Sequence, residues 1–178
     1  MMRVKICGIT RPEDALAAAA AGADAIGLVF AESPRQVTVE QAAAILRVLP
    51  PFVTPVALFV DATADAVREV CGPLGIRTVQ LHGDEPPAVA EALADCCLVK
   101  AFRIGSAADI AAVAGYPAAA YLLDSRVAGR SGGTGTAFDW QLLRGVAWDK
   151  PVILAGGLNP GNVAQAVRKV RPYAVDTS

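Results

Sequence analysis

Short apolar runs alternate with amphipathic stretches from one end of the chain to the other. The apolar runs cover residues 4–7, 25–30, 56–60, 78–82, 98–102, 120–124, 152–157 and 173–178. Most are near-continuously apolar, as in parallel strands covered on both faces. Helix-start signals fall between them. Thr10-Arg11-Pro12-Glu13 reads as a capping box with proline in the first turn, and its helix stops near Gly22. Thr38 and Gln41 repeat the box, and Ser106 with Asp109 gives a looser version. Pro86 and Pro87 open another helix, and Asn159-Pro160 reads as an N-cap followed by proline at the first helical position. The segment ADAVREV stops at Gly72-Pro73, and the sixth connection holds only the weaker FDWQLLRG.

Strand starts recur every 20 to 30 residues or so, the length of a strand-plus-helix unit. That alternation predicts a parallel sheet with right-handed crossovers. A doubly wound open sheet usually stops at five or six strands, so eight nearly equal units predict a closed (β/α)8 TIM barrel, as one domain over residues 1–178. The chain stops at Ser178, directly after the eighth run, whereas such barrels typically take about 250 residues. The expectation is therefore a barrel truncated after strand eight, with the last helix absent and the seam between strands one and eight uncovered.

Composition narrows the function. The 16 basic and 17 acidic side chains nearly cancel, which speaks against a nucleic-acid surface. The most apolar early run, residues 15–31, is interrupted by Asp24 and preceded by Glu13 and Asp14, so neither a membrane span nor a signal peptide is expected. A cytoplasmic protein follows. Cys7, Cys71, Cys96 and Cys97 show no zinc spacing, and the adjacent pair reads as reduced and buried. His82 is the lone histidine, which excludes a multi-histidine metal site. The sequence carries no signal for oligomeric state, and no metal or cofactor is called for.

In a barrel of this kind the site lies at the strand C-termini and the loops after them. Those ends offer Cys7, Asp61, His82, Arg103, Asp124, Gly156-Gly157 and the segment 176–178. Side-chain alternation puts Lys5 with Cys7 on one face, and Gln80 with His82 on another. A thiol, an imidazole and a carboxylate then share one opening, where water or ligand can satisfy them. Each has a plainer reading: Cys7 as a small buried thiol, Asp124 as a cap, His82 as a structural hydrogen bond. Lys5 and Lys100 read as interior lysines paired with carboxylates near the barrel base. Arg35, stiffened by Pro34, suits a clamp on a planar carboxylate. GRSGGTGT, residues 129–136, lacks the Gly-Lys-Ser/Thr ending of a phosphate-binding P-loop and reads as a mobile connection able to form a lid. Gly156 and Gly157 let the backbone approach an anion after strand seven. Together these point to a phosphorylated small molecule, an acid and a thiol.

The motifs KICGIT (residues 5–10), SPRQV (33–37), VQLHGDE (79–85), LLDS (122–125), GGTGTAFDW (132–140) and ILAGGLNPGNV (153–163) occur in one order along the chain. In these the sequence resembles the phosphoribosylanthranilate isomerase family, whose fold is a (β/α)8 barrel. The resemblance implies an Amadori rearrangement of N-(5-phosphoribosyl)anthranilate, a step of tryptophan biosynthesis. By matching position it makes Asp124 the general acid and Cys7 the general base. Arg35 would hold the anthranilate carboxylate. Gly156, Gly157 and the segment from Asp176 to Ser178 would surround the phosphate. His82 joins the substrate-binding set without a chemical step. Family members continue with a further Ser-Gly segment and a last helix, which this chain lacks. Two rival readings are a non-catalytic phosphosugar-binding fragment and another phosphosugar isomerase or aldolase barrel. A Schiff-base aldolase would need Lys5 or Lys100 at a strand end, and both lie short of it.

Overall fold

In the computed structural model, which describes residues 2–125 and 139–178, eight parallel strands close into a barrel in chain order. They are β1 (Arg3–Cys7), β2 (Ala25–Val29), β3 (Thr54–Phe59), β4 (Thr78–Leu81), β5 (Cys97–Ile104), β6 (Ala120–Ser125), β7 (Val152–Leu154) and β8 (Ala174–Thr177). The helices are α1 (Pro12–Ala20), α2 (Val39–Val48), α3 (Ala64–Leu74), α4 (Pro87–Ala92), α5 (Ala107–Ala111) and α6 (Val163–Val170). The weak FDWQLLRG signal resolves into one 3₁₀ turn, Trp140–Leu143. β8 is the last element and pairs with β1 to close the ring, Lys5 standing opposite Asp176. The GRSGGTGT segment lies outside the described residues.

Strand alternation sorts the side chains into two layers. Ile26, Leu28, Phe59, Leu81, Leu123 and Leu154 face outward and pack with the helices in the main core. The small side chains Val99, Ala101, Leu122, Ile153, Ala155 and Ala174 form a second, interior cluster. Ala15, Ala42, Ala90 and Ala166 are almost fully buried on the helices, so much of the alanine content serves close helix-to-strand packing. Opposite the apolar interior cluster, the barrel holds polar groups: Lys5, Gln80 and Asp176 are all buried.

Several local expectations need correction. Thr10 caps nothing: Pro12 takes the first helical position, Arg11 becomes the N-cap, and its side chain pairs with Asp14 at 3.0 Å. α3 runs through Gly72-Pro73 to Leu74 and ends on Gly75 in the left-handed conformation. Pro73 has no N–H to offer the Glu69 carbonyl one turn back, so the break it makes falls in the final turn of the helix. α6 begins after Asn162, not Asn159. Lys100 faces the helix layer rather than the interior, because Val99 and Ala101 on either side of it point inward. Its ammonium pairs with Glu85 at 2.6 Å and lies near the Phe102 and Tyr116 rings. Nor are Lys5 and Lys100 confined to the barrel base: Glu85 follows the C-terminal end of β4 and Asp176 lines the mouth. Cys97 is exposed and Cys96 half-buried, while all four cysteines are unpaired.

The predicted box on α2 is present in full: Thr38 accepts from the Gln41 N–H, and Gln41 accepts from the Thr38 N–H. Thr38→Ala should therefore lower unfolding free energy by about 1 kcal/mol, read as a shift of the urea midpoint. Thr10→Ala, which removes no cap, should stay within about 0.5 kcal/mol.

Candidate active site

A cavity of about 290 Å³ opens at the C-terminal ends of the strands, and Cys7, Arg35, His82, Asp124, Gly156 and Asp176 are among the residues lining it. Gly157 and Ser178 also reach it. The catalytic and substrate-binding residues that the resemblance implies thus meet at one mouth, whereas Asp61, also at a strand end, instead accepts the Asp84 N–H at 2.7 Å. Cys7 ends β1 and is followed by Gly8 at φ +85°. A side chain at Gly8 would run into the Arg35 side chain at 2.7 Å, so the turn leaves room for the guanidinium to lie across it. Arg35 donates to the Cys7 carbonyl at 3.3 Å, and its own N–H is tied to Ser33 Oγ. The loop after β2 is therefore fastened to the end of β1.

Asp124 leaves the inner face of β6. One carboxylate oxygen accepts the Ser125 N–H at 2.7 Å, and the other stands 3.3 Å from His82 Nε2. The Gln80 amide nitrogen lies 2.7 Å from His82 Nδ1. With that amide donating, the ring proton sits on Nε2 and points at Asp124. Gln80 Oε1 is buried without a partner among the described residues.

Lys5 and Asp176 form a buried ion pair at 2.8 Å beneath the thiol. Burial opposes the Lys5 charge, but Asp176 and then Cys7 outweigh it, and the lysine is held above its ordinary range. Burial pulls Asp176 upward, and Lys5 works against that pull. The ionised pair satisfies both groups, as a buried charge requires. Burial also raises the Cys7 thiol, opposed by Lys5 and less strongly by Arg35.

After β7, Gly156 and Gly157 take φ +79° and +65°. A Cβ on Gly156 would collide with the Ser125 backbone nitrogen and come within 2.7 Å of an Asp124 carboxylate oxygen. The loop that follows is laced by two asparagines: Asn162 Nδ2 donates to the Gly157 carbonyl at 2.8 Å, and Asn159 Oδ1 accepts the Gly161 N–H at 2.9 Å. Thr177 Oγ1 donates to the Leu158 carbonyl at 3.2 Å and ties the end of β8 to this turn.

The family model for N-(5'-phosphoribosyl)anthranilate (PRA) isomerase matches residues 4–178. The chain belongs to the phosphoribosylanthranilate isomerase family. The isomerase of Pseudomonas fluorescens is 55% identical, over 99% of this chain and 85% of its own length. That of Citrifermentans bemidjiense is 52% identical, over 100% of this chain and 86% of its own. The crystal structure of phosphoribosyl anthranilate isomerase from Thermotoga maritima superposes with a TM-score of 0.92 at 40% identity, covering 99% of this chain and 87% of that one. Another solved phosphoribosyl anthranilate isomerase, 38% identical with a TM-score of 0.87, is in complex with reduced 1-(o-carboxyphenylamino)-1-deoxyribulose 5-phosphate; the match covers 100% of this chain and 87% of that one.

Other parts of the mouth were not singled out from the sequence. Val29, Leu58 and Val60 give it an apolar wall beside Arg35, while Arg103, already named from its strand end, adds a second guanidinium. Alternation along β2 and β3 carried the signal for the wall, but the apolar residues were indistinguishable from core. Glu85 takes the Asp61 and Gly83 N–H groups and the Lys100 ammonium, fixing the loop just after His82. Gly156→Ala should destabilise the fold by about 1–3 kcal/mol in urea unfolding. Gly72→Ala, helical but directly before Pro73, gains helix propensity that the crowding by the proline ring offsets, so it should stay within about 0.5 kcal/mol of the unmodified protein.

Proposed function

We propose that this chain catalyses the Amadori rearrangement of N-(5-phosphoribosyl)anthranilate to 1-(2-carboxyphenylamino)-1-deoxyribulose 5-phosphate, an isomerisation of tryptophan biosynthesis. The observation that carries the reading is the pair of proton-transfer groups, Cys7 and Asp124, facing one cavity from β1 and β6. Family membership supplies the reaction, and the cavity supplies a group for each of its needs.

Asp124, protonated, gives its proton to the furanose ring oxygen as the bond from that oxygen to C1 breaks. The anthranilate nitrogen takes up the positive charge as an iminium ion. The carboxylate left behind is met by the His82 N–H. The Cys7 thiolate then removes the proton from C2, whose electrons flow into the iminium to give an enolamine. Tautomerisation to the ketone completes the isomerisation, with no net change in atoms or oxidation level. Arg35 takes the anthranilate carboxylate, and the apolar wall of Val29, Leu58 and Val60 receives the ring. Gly156, Gly157 and Ser178 offer the phosphate backbone N–H groups at the cavity wall. The Asp176 carboxylate, engaged with Lys5, lies deeper and would repel a phosphate; its place in the substrate-binding set is at the sugar end. Among the described residues no helix is long and apolar enough to cross a membrane. Four unpaired thiols fit a reducing cytoplasm.

The test follows the fluorescence of the anthranilate-bearing substrate. The chain should consume it, and Cys7→Ala and Asp124→Asn should each cut kcat by about 10²–10⁴-fold while still binding a reduced product analogue. Near-normal turnover in either variant would overturn that residue's role, and binding without turnover in the unmodified chain would favour a phosphosugar-binding module. Because the reaction needs Asp124 protonated and Cys7 ionised, kcat/KM should be bell-shaped in pH; burial raises the thiol, so the limb that Cys7 sets should lie above the ordinary thiol range of about 8.5.

A further inference from the structure

A thiol buried in a barrel mouth resists becoming a thiolate, because removing a charge from water is costly. Cys7 therefore needs a nearby cation if it is to accept a proton. Two cations lie close. Arg35 stands half-buried at the rim, where the proposed substrate carboxylate claims it. Lys5 lies two residues before Cys7 on the same face of β1, is 6% exposed, and does not line the cavity. It sits one step below the thiol, within electrostatic reach of it. The strand pairing that closes the barrel puts Asp176 directly opposite Lys5. The 2.8 Å contact fixes the long side chain and keeps its ammonium charged in a site where a lone lysine would lose its proton. Lys100, the other buried lysine, differs: it faces the helix layer and is engaged by Glu85 and the Gly83 carbonyl.

We propose that Lys5, clamped by Asp176, is the positioning residue that supports the thiolate form of Cys7. The proposal rests on the reading of Cys7 as base but concerns a property of the thiol that is measured without substrate. The charged and titratable groups facing Cys7 are Lys5 on its own strand, Asp176 on β8 and Arg35 from the loop after β2. Asp124 on β6, with His82 after β4 and Arg103 on β5, lines the same cavity farther round the barrel. Lys5 and Arg35 favour the thiolate, and Asp176 disfavours it while holding Lys5 in place.

The dependence of the lysine's charge on its clamp makes the test. The rate of Cys7 alkylation by iodoacetamide, followed by mass spectrometry of the Cys7 peptide, gives the midpoint pH at which the thiolate forms. Asp176→Asn should move that midpoint up, because the lysine loses the partner that holds and charges it. Lys5→Met combined with Asp176→Asn removes both charges and leaves no orphaned buried ion; its midpoint should move up by about one unit or more. Lys5→Arg should keep the midpoint near that of the unmodified protein. Circular dichroism identifies which variants are folded. Unchanged midpoints in folded Asp176→Asn and in the folded double variant would overturn the proposal, as would a downward shift in either. Shifts as expected in a protein that does not turn over the anthranilate substrate would uphold the effect of Lys5 on the thiol and remove the base role from Cys7.

Discussion

The pairing of β1 with β8 is the contact on which the rest of the molecule depends. It joins the two ends of the chain, 171 positions apart at the Lys5–Asp176 contact, and turns an open sheet into a ring. Only in the closed ring do the inner faces of those strands meet. The register that sets Lys5 against Asp176 also puts Cys7 at the rim, beside the turn that Thr177 ties to the loop after β7. Contacts of such sequence separation carry the largest loop-closure cost and form late. The mouth therefore exists only when the whole barrel does.

Closure also sorts the charges. Two carboxylates, Asp124 and Asp176, face the cavity, and like charges at such a mouth repel one another. Each has a different neighbour instead. Asp176 is matched by a lysine, buried with it, and holds a cation in place. Asp124 meets a histidine N–H and a backbone N–H at the cavity wall, and in the proposed reaction it exchanges a proton with the ligand. One fold thereby gives two like groups unlike work, through partners rather than through residue type. The thiol lies between these regimes, with burial and the cations beneath and beside it pulling in opposite directions.

Much of this was legible in the sequence, because period and position carry physical information. Eight apolar runs at nearly even spacing favour a closed parallel barrel over a doubly wound open sheet, and the strand ends named the mouth. Cys7, Arg35, His82, Asp124 and the two glycines all stand there. What escaped the reading depends on partners distant in the chain. Nothing local marks Glu85 as the anchor of Lys100, or Asp176 as the partner of Lys5 rather than a phosphate neighbour. Lys100 was assigned to the wrong face although Val99 and Ala101 beside it held the clue: the run 98–102 is apolar on both faces, so hydrophobicity alone could not say which was inside. The helix starts of α1 and α6 slipped because proline and asparagine signals overlap there, and the loops chose the turn that packed. The chain spans 85–87% of the length of the relatives described here.

The central claim is that one substrate lies across the mouth with its sugar between Cys7 and Asp124. A crystal structure of the chain with a reduced, non-reacting product analogue tests it most directly. The account predicts the sugar C2 within contact of the Cys7 sulfur and the ring-derived hydroxyl beside Asp124. The aromatic carboxylate should lie on Arg35, and the phosphate against the Gly156–Gly157 turn. An analogue bound with its phosphate at Arg35, or with its sugar away from either Cys7 or Asp124, would contradict it.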